Sequence, residues 1–563
     1  MKLLWMVGVF CSLVYPAVGL DRNAFTFTKY DLTVRIEPEQ QRLGVRGRIA
    51  LRNDSPAAQR NIALQISSSL DWRSIQHEGK PVEYVDHEYI SDIDHTGSLS
   101  EAIVSLPQEI PPKGTIELEI GYEGVVALDA TRLTEIGVPE EKAKHSDWDE
   151  IGKSFTAVRG TGYVAWYPIA TEAASFSEGD GVETIAGSWR QREAEQSLAV
   201  KIVEVTESGQ DAPTILCSGQ EARPVKESAG RSQQITAACS FPLGEVGAPT
   251  FVIAEYQKMD AKGATIYYPR DQQEAAEAYG DVVRQSDPNV PVVHGAGKLQ
   301  IVGLPDPEAV SFVSEGMMLT PIKLSMTNAV ELDIVYAQAR QLVSSPRPWI
   351  VEGLAHYAQA SFIEAQKGRQ AALDYLNARR PALVDEEKSK AADTDAHSLL
   401  QSPDDLYLQT KAMYVWWMLK DMGALSGSPA LDYKRAEDHD PAYMQHLIED
   451  KKRDLQWFFD DWVYHDHGLP DFHVASVFTT SATTGGFLVT IEVENQGSAG
   501  AEVPVVLGYE GGEIRKRMEV RAKSKASVRI EVPGTPQMVT VNDGSVPESD
   551  VSNNVYKIET SKH

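Results

Sequence analysis

The stretch Pro348-Trp349-Ile350-Val351-Glu352-Gly353-Leu354-Ala355-His356-Tyr357 decides how the rest of the chain is read. Pro348 stands where a first-turn proline is favoured, because its missing N–H would be unpaired there in any case. The residues behind it continue in helical period to about 366, and Glu352 and His356, four apart, share one face of that helix. The plain reading of the two is a half-buried polar histidine and a glutamate held by hydrogen bonds. Just upstream, Asn328 with Glu331 has the form of an N-cap and its capping-box partner, which opens a preceding helix over 328–343. Further helical periodicity at 369–378, 408–422 and 453–464, with Gln272 to Gln285 ahead of it, makes a helical block of residues 263–469.

Outward from this block the period changes to two. Tyr30, Leu32, Val34 and Ile36, then Leu43, Val45, Ile49 and Leu51, then Ile116, Leu118, Ile120 and Tyr122 alternate with polar residues, as an antiparallel sheet with one buried face requires. Residues 21–262 therefore read as a β-rich region, with the polar stretches 138–160 and 171–195 as loops or insertions. After Gly468-Leu469-Pro470 the alternation returns at Phe487, Val489, Ile491, Val493 and at Val528, Ile530, Val532, so residues 470–563 read as a small β-sandwich. A chain of 563 residues exceeds what one core supports, in keeping with a multidomain α+β fold.

Residues 3–15 are apolar after Met1-Lys2 and lead through Pro16 to the small residues Ala17-Val18-Gly19, the layout of an export signal spanning residues 1–20. An uncleaved anchor is the other reading, against which the run is short for a bilayer. The expected destination is outside the cytoplasm, in a periplasm or the extracellular space, with no membrane span once the signal is removed. Cys217 and Cys239 lie in apolar, strand-like contexts; an oxidising compartment lets them form a disulfide, and buried free thiols are the alternative. A net charge of −28 argues against nucleic acid as a partner, because phosphate binding needs clustered Lys and Arg.

The Pro348 to Tyr357 segment resembles the Trp-Leu-Asn-Glu-Gly-(Phe/Leu)-Ala-x-Tyr helix of gluzincin zinc peptidases, specifically the aminopeptidase N family. Three further elements are similar and fall in family order: Trp166-Tyr167-Pro168, the Leu406 to Leu419 helix with Lys411-Ala412, and the Gly468-Leu469-Pro470 entry to the last β region. The resemblance implies an N-terminal β-saddle domain, a thermolysin-like, mostly helical domain and a C-terminal Ig-like β-sandwich. It also implies that Glu352 matches the third zinc ligand. The family's HExxH pentapeptide then falls on Ala329-Val330-Glu331-Leu332-Asp333, where Ala329 and Asp333 replace the ligand histidines and Val330 replaces the catalytic base. No shift restores the motif, because no histidine occurs between His294 and His356. The Gly-x-Met-Glu-Asn element is absent from residues 304–316. The oxyanion-stabilising tyrosine falls on Gln409, and a two-residue change of register brings Tyr407 to it.

Zinc hydrolysis needs two imidazoles a turn apart, a carboxylate from a neighbouring helix and an open position for water. The expectation is thus a pseudopeptidase that holds a peptide or protein partner in its interdomain cleft, with no catalytic residues and no cofactor. The alternative is an active metallopeptidase whose zinc is held by Glu352 with Asp333 and His356, an acceptable donor set. The Tyr464-His465-Asp466-His467 run, with His473 behind it, reads as a linker ahead of the last domain. Trp416 and Trp417, adjacent on one helix, cannot share a face, so at least one belongs to ordinary core.

Overall fold

In the computed structural model the described residues are 20–559, apart from 178–180, 193–196, 208–211, 230–231, 243–246, 287–289, 292–297, 315, 344, 391–397, 401, 403, 405, 426–430, 450–452 and 483–484. The export signal expected over residues 1–20 therefore lies outside them up to residue 19. Among the described residues no helix is long and apolar enough to cross a membrane.

The period-two runs near the N-terminus form the centre of an eight-stranded sheet. Phe25–Glu37 pairs antiparallel with Arg42–Asn53, so that Val34 faces Val45 and Tyr30 faces Ile49, and pairs parallel with Ser197–Glu207 on its other side. Tyr30, Leu32, Val34 and Ile36 are fully enclosed against a second, three-stranded sheet of Gln59–Ser67, Ser98–Ile110 and Glu83–Ile90 through a shared apolar core. The 138–160 and 171–195 stretches, expected as loops, carry the strands Glu150–Ile151 and Phe155–Val158 and the helix Val182–Arg192. Two buried ion pairs hold the first of these stretches: Arg132 with Asp147 at 2.7 Å and Arg159 with Asp149 at 2.6 Å. The Cys217 and Cys239 sulfurs are bonded, joining the strands Thr214–Cys217 and Ser232–Pro242 of two different sheets.

The block from 263 does not begin with helices alone. A mixed five-stranded sheet of Gln257–Ala261, Ala264–Tyr268, Leu299–Gly303, Met317–Thr320 and Phe312–Ser314 comes first, covered by the helix Gln273–Gln285. Its central strands, Leu299–Gly303 and Met317–Thr320, are buried at every position. Strands covered on both faces show no alternation, which is why the sequence pattern missed them.

Helices dominate from Asn328. The helix Asn328–Leu342 is capped by Thr327, whose hydroxyl accepts from the Val330 N–H, one residue earlier than the cap read from the sequence. Pro348–Lys367 follows with its proline in the first turn. It packs against Ala412–Asp421 at Gly353, where a β-carbon would stand 2.8 Å from both the Ala412 Cβ and the Trp416 ring. Glycine there lets the two helices touch. Trp416 stacks on Trp349 with ring centres 5.4 Å apart and Trp417 meets Tyr357 at 6.5 Å, so both tryptophans are core.

The last region is two facing sheets. Phe472–Ser481, Phe487–Asn495 and Ser524–Val532 form one; Gly512–Val520, Ala501–Tyr509, Pro536–Val541 and Val555–Lys557 form the other. Val489, Ile491 and Val493 are enclosed together with Val503, Val505 and Leu507, and this core is continuous with that of the helices. Arg369 and Arg517 both pair with Asp421, at 2.6 and 3.2 Å, and so tie the sandwich to the helical part.

Candidate functional site

A cavity of about 320 Å³ opens where the β-rich region meets the helices. Its walls come from Gly162-Tyr163, the helix Val182–Arg192, the 311–313 segment, the helices Asn328–Leu342 and Pro348–Lys367, and Gln409. Tyr163 is fixed from behind: the Arg159 guanidinium lies 3.8 Å from its ring and 3.8 Å from that of Trp148.

Glu352 lines this cavity and is 5% exposed. Two residues of the preceding helix meet its carboxylate. The Tyr336 hydroxyl donates to Oε2 at 2.5 Å, and Arg340 Nε lies 3.2 Å from Oε1. Tyr336 and Arg340 are four apart and so share a face. Two turns earlier on that helix, Ala329 is exposed in the first turn and Val330 packs against the apolar cluster of the mixed sheet. Neither reaches Glu352, and the reason is the connection. Only residues 343–347 join the two helices, which run antiparallel, with the Gln359 amide donating to the Leu332 carbonyl at 2.9 Å. Glu352, in the second turn after so short a connection, faces the end of the preceding helix. Ala329 is eleven residues before Arg340, about 16 Å along the axis. Of the positions the family spacing selects on this helix, Asp333 lines the cavity with Glu352, and Tyr336 and Arg340, which touch Glu352, were missed. The signal available in the sequence was Arg340 itself, the sole cation of its helix, one short loop ahead of a carboxylate.

Asp333 and His356 do join Glu352 in the cavity wall. Burial pushes the Asp333 carboxyl up to about 6, and among the described residues it has no ion-pair partner. The His356 ring lies 4.8 Å from that of Tyr336, its Nδ1 meets Gln359 Oε1 at 2.8 Å, and burial lowers its pKa to about 4 despite the neighbouring Glu352. Gln409 lines the cavity, whereas Tyr407 does not. Tyr407 is fully enclosed, with its ring 5.1 Å from Lys411 Nζ; that ammonium is bound by Glu387 at 2.9 Å and Asp466 at 2.6 Å. The His465-Asp466-His467 run is thus anchored through its middle residue, while His467 meets Asp461 at 3.0 Å.

Both Glu352 oxygens already face Tyr336 and Arg340, and a guanidinium at that distance repels a second cation. Among the described residues no group of three or more His, Cys, Asp or Glu side chains is placed to hold a metal ion.

No family model and no curated protein matches the chain. Among solved structures it is similar to an M1 zinc metallopeptidase from Deinococcus radiodurans, at 13% identity and a TM-score of 0.40, covering 72% of this chain and 84% of that one. It is equally similar, at 13% identity and 0.40, to a point mutant of an M1 zinc metallopeptidase from that organism bound to a Tyr-Ser-Ala substrate, covering 72% of this chain and 85% of that one. The chemistry of the cleft follows from its own side chains.

Proposed function

We propose that the chain is an exported, periplasmic or extracellular pseudopeptidase. On this reading a saddle, a thermolysin-like domain and an Ig-like sandwich of the aminopeptidase N type keep the peptide cleft and have given up zinc. The observation that carries it is the buried Glu352 carboxylate held by Arg340 and Tyr336. On this reading a fixed guanidinium stands where the ion would, and the Glu352 carboxylate is engaged rather than free to ligate a metal. What remains is a walled cavity with polar groups of both signs, suited to holding a peptide or protein segment without cutting it.

The test is incubation of the purified full chain with a mixed peptide substrate, with added zinc and with a chelator. The expected result is peptide recovered intact under both conditions and retained by the protein. Cleavage that appears with zinc and stops with the chelator would establish the metallopeptidase instead.

A further inference from the structure

Around the cavity Arg340 and Glu352 answer each other, and among the described residues two further buried polar atoms of its lining have no hydrogen-bond partner. Gln359 shows the first of them. Its Nε2 donates to the Leu332 carbonyl, so its Oε1 is the atom that accepts from the Tyr375 hydroxyl at 2.7 Å and faces His356 Nδ1 at 2.8 Å. An amide oxygen only accepts, so Nδ1 must carry the proton. His356 Nε2 is then a bare lone pair, and it is buried with no hydrogen-bond partner among the described residues. The side chain is 9% exposed and lines the cavity. A buried acceptor without a donor is costly until something supplies one.

The second atom is a donor on another wall. Arg190, in the last turn of the helix Val182–Arg192, lines the same cavity. Its Nε is buried without a hydrogen-bond partner, and among the described residues its guanidinium has no ion pair. Arg340 spends its charge on Glu352, and Arg132 and Arg159 spend theirs on Asp147 and Asp149. Arg190 does not. A guanidinium offers a planar fork that matches a carboxylate, and the residue therefore asks for an anion from outside.

An unmatched acceptor on one wall and an unmatched forked donor on another describe a ligand with an N–H at one point and a carboxylate at another. A short peptide carries both on its main chain whatever its side chains. We propose that the cleft grips a peptide by its backbone, with the terminal carboxylate on Arg190 and a main-chain N–H donating to His356 Nε2. This rests on the peptide-binding reading above and narrows it to peptides with a free carboxyl end, taken with little regard to side chains. No bond is made or broken.

The probe is trialanine with a free carboxylate, compared with trialanine amide, both titrated calorimetrically into the full chain at neutral pH. The expected result is binding of the acid that weakens tenfold or more in the amide, in Arg190→Gln and in His356→Phe, with each variant's circular dichroism and unfolding midpoint close to the parent's. As a readout independent of affinity, the His356 ring should show an unprotonated Nε2 resonance that shifts on adding the acid and not on adding the amide. Equal binding of acid and amide, or binding untouched by Arg190→Gln, overturns this inference and leaves the peptide-binding reading standing. If neither form binds at millimolar concentration, both fall. Should His356→Phe alone unfold the protein, the resonance and Arg190→Gln decide the matter.

Discussion

Two buried charge clusters in the helical part of the chain are built from the same parts and sit in different surroundings. Around Lys411, one ammonium is gripped by Glu387 and Asp466 beneath the Tyr407 ring, and every member is enclosed or nearly so. Around Glu352, one carboxylate is gripped by Arg340 and Tyr336, yet the wall beside it faces a cavity and contains His356 Nε2, which lacks a partner among the described residues. The first is closed on itself and holds the helices to the segment before the sandwich. The second is closed only at its charge and open at its rim. A polar group left unpaired in a cavity wall is open to a ligand, whereas an enclosed ion cluster acts as a joint.

The comparison is broken most severely by removing the cation of the enclosed cluster. Lys411→Met leaves two carboxylates buried without a counter-ion and should cost about 3–5 kcal/mol in denaturant unfolding. A loss under about 1 kcal/mol would show that water reaches them. Glu352→Gln removes the charge that Arg340 faces, but the cavity can hydrate the guanidinium, so the loss should be smaller, about 1.5–3 kcal/mol. If the two variants cost the same, the open and closed clusters are not different in kind. Gly353→Ala tests the helix contact beneath Glu352. With the Ala412 Cβ and Trp416 ring each 2.8 Å from the new methyl, overpacking of about 1–3 kcal/mol is expected, opposed by alanine's better helix propensity. A neutral or stabilising result would mean that the helices separate freely there.

The finest test is pH. The folded-state pKa of Asp333 is raised, to about 6, so the fold favours its protonated form: that contribution is complete below the ordinary carboxylate value and lost as pH rises through about 6. Asp333→Asn should therefore match the parent near pH 3, pull ahead between about pH 4 and 6, and keep a constant lead above that. His356 works the other way. Its pKa is lowered to about 4, so its contribution is present above the ordinary imidazole value and declines as pH falls from about 6.5 to 4. Urea midpoints of parent and Asp333→Asn across pH 3–8 check the sign, and a lead at pH 3 that vanishes at pH 7 would contradict it.

How much of this was legible in the residues follows from what each element buries. Tyr30 to Ile36 and Phe487 to Val493 announce strands because only one face of each sheet is covered along those runs, and Pro348 announces a helix start because its missing N–H is harmless only there. The strands Leu299–Gly303 and Met317–Thr320 stayed hidden because both faces are covered. In the cleft, Glu352, Asp333 and His356 were picked out and do share a wall, while Tyr407 turned out to belong to the Lys411 cluster. Tyr336 and Arg340 could not be chosen from spacing alone. Which turn of a helix meets a given residue on its neighbour depends on the length of the loop between them, and here that loop is residues 343–347. Arg190 was out of reach for a related reason: its helix lies in a stretch that polar composition marked as loop.

The central proposal, that zinc has been given up, rests on the guanidinium and the phenol that meet the Glu352 carboxylate. Equilibrium dialysis of the purified full chain against micromolar zinc, followed by elemental analysis, tests it directly. The account predicts far less than one zinc per chain and no difference between the parent and Glu352→Ala. One zinc per chain, abolished by Glu352→Ala, would contradict it.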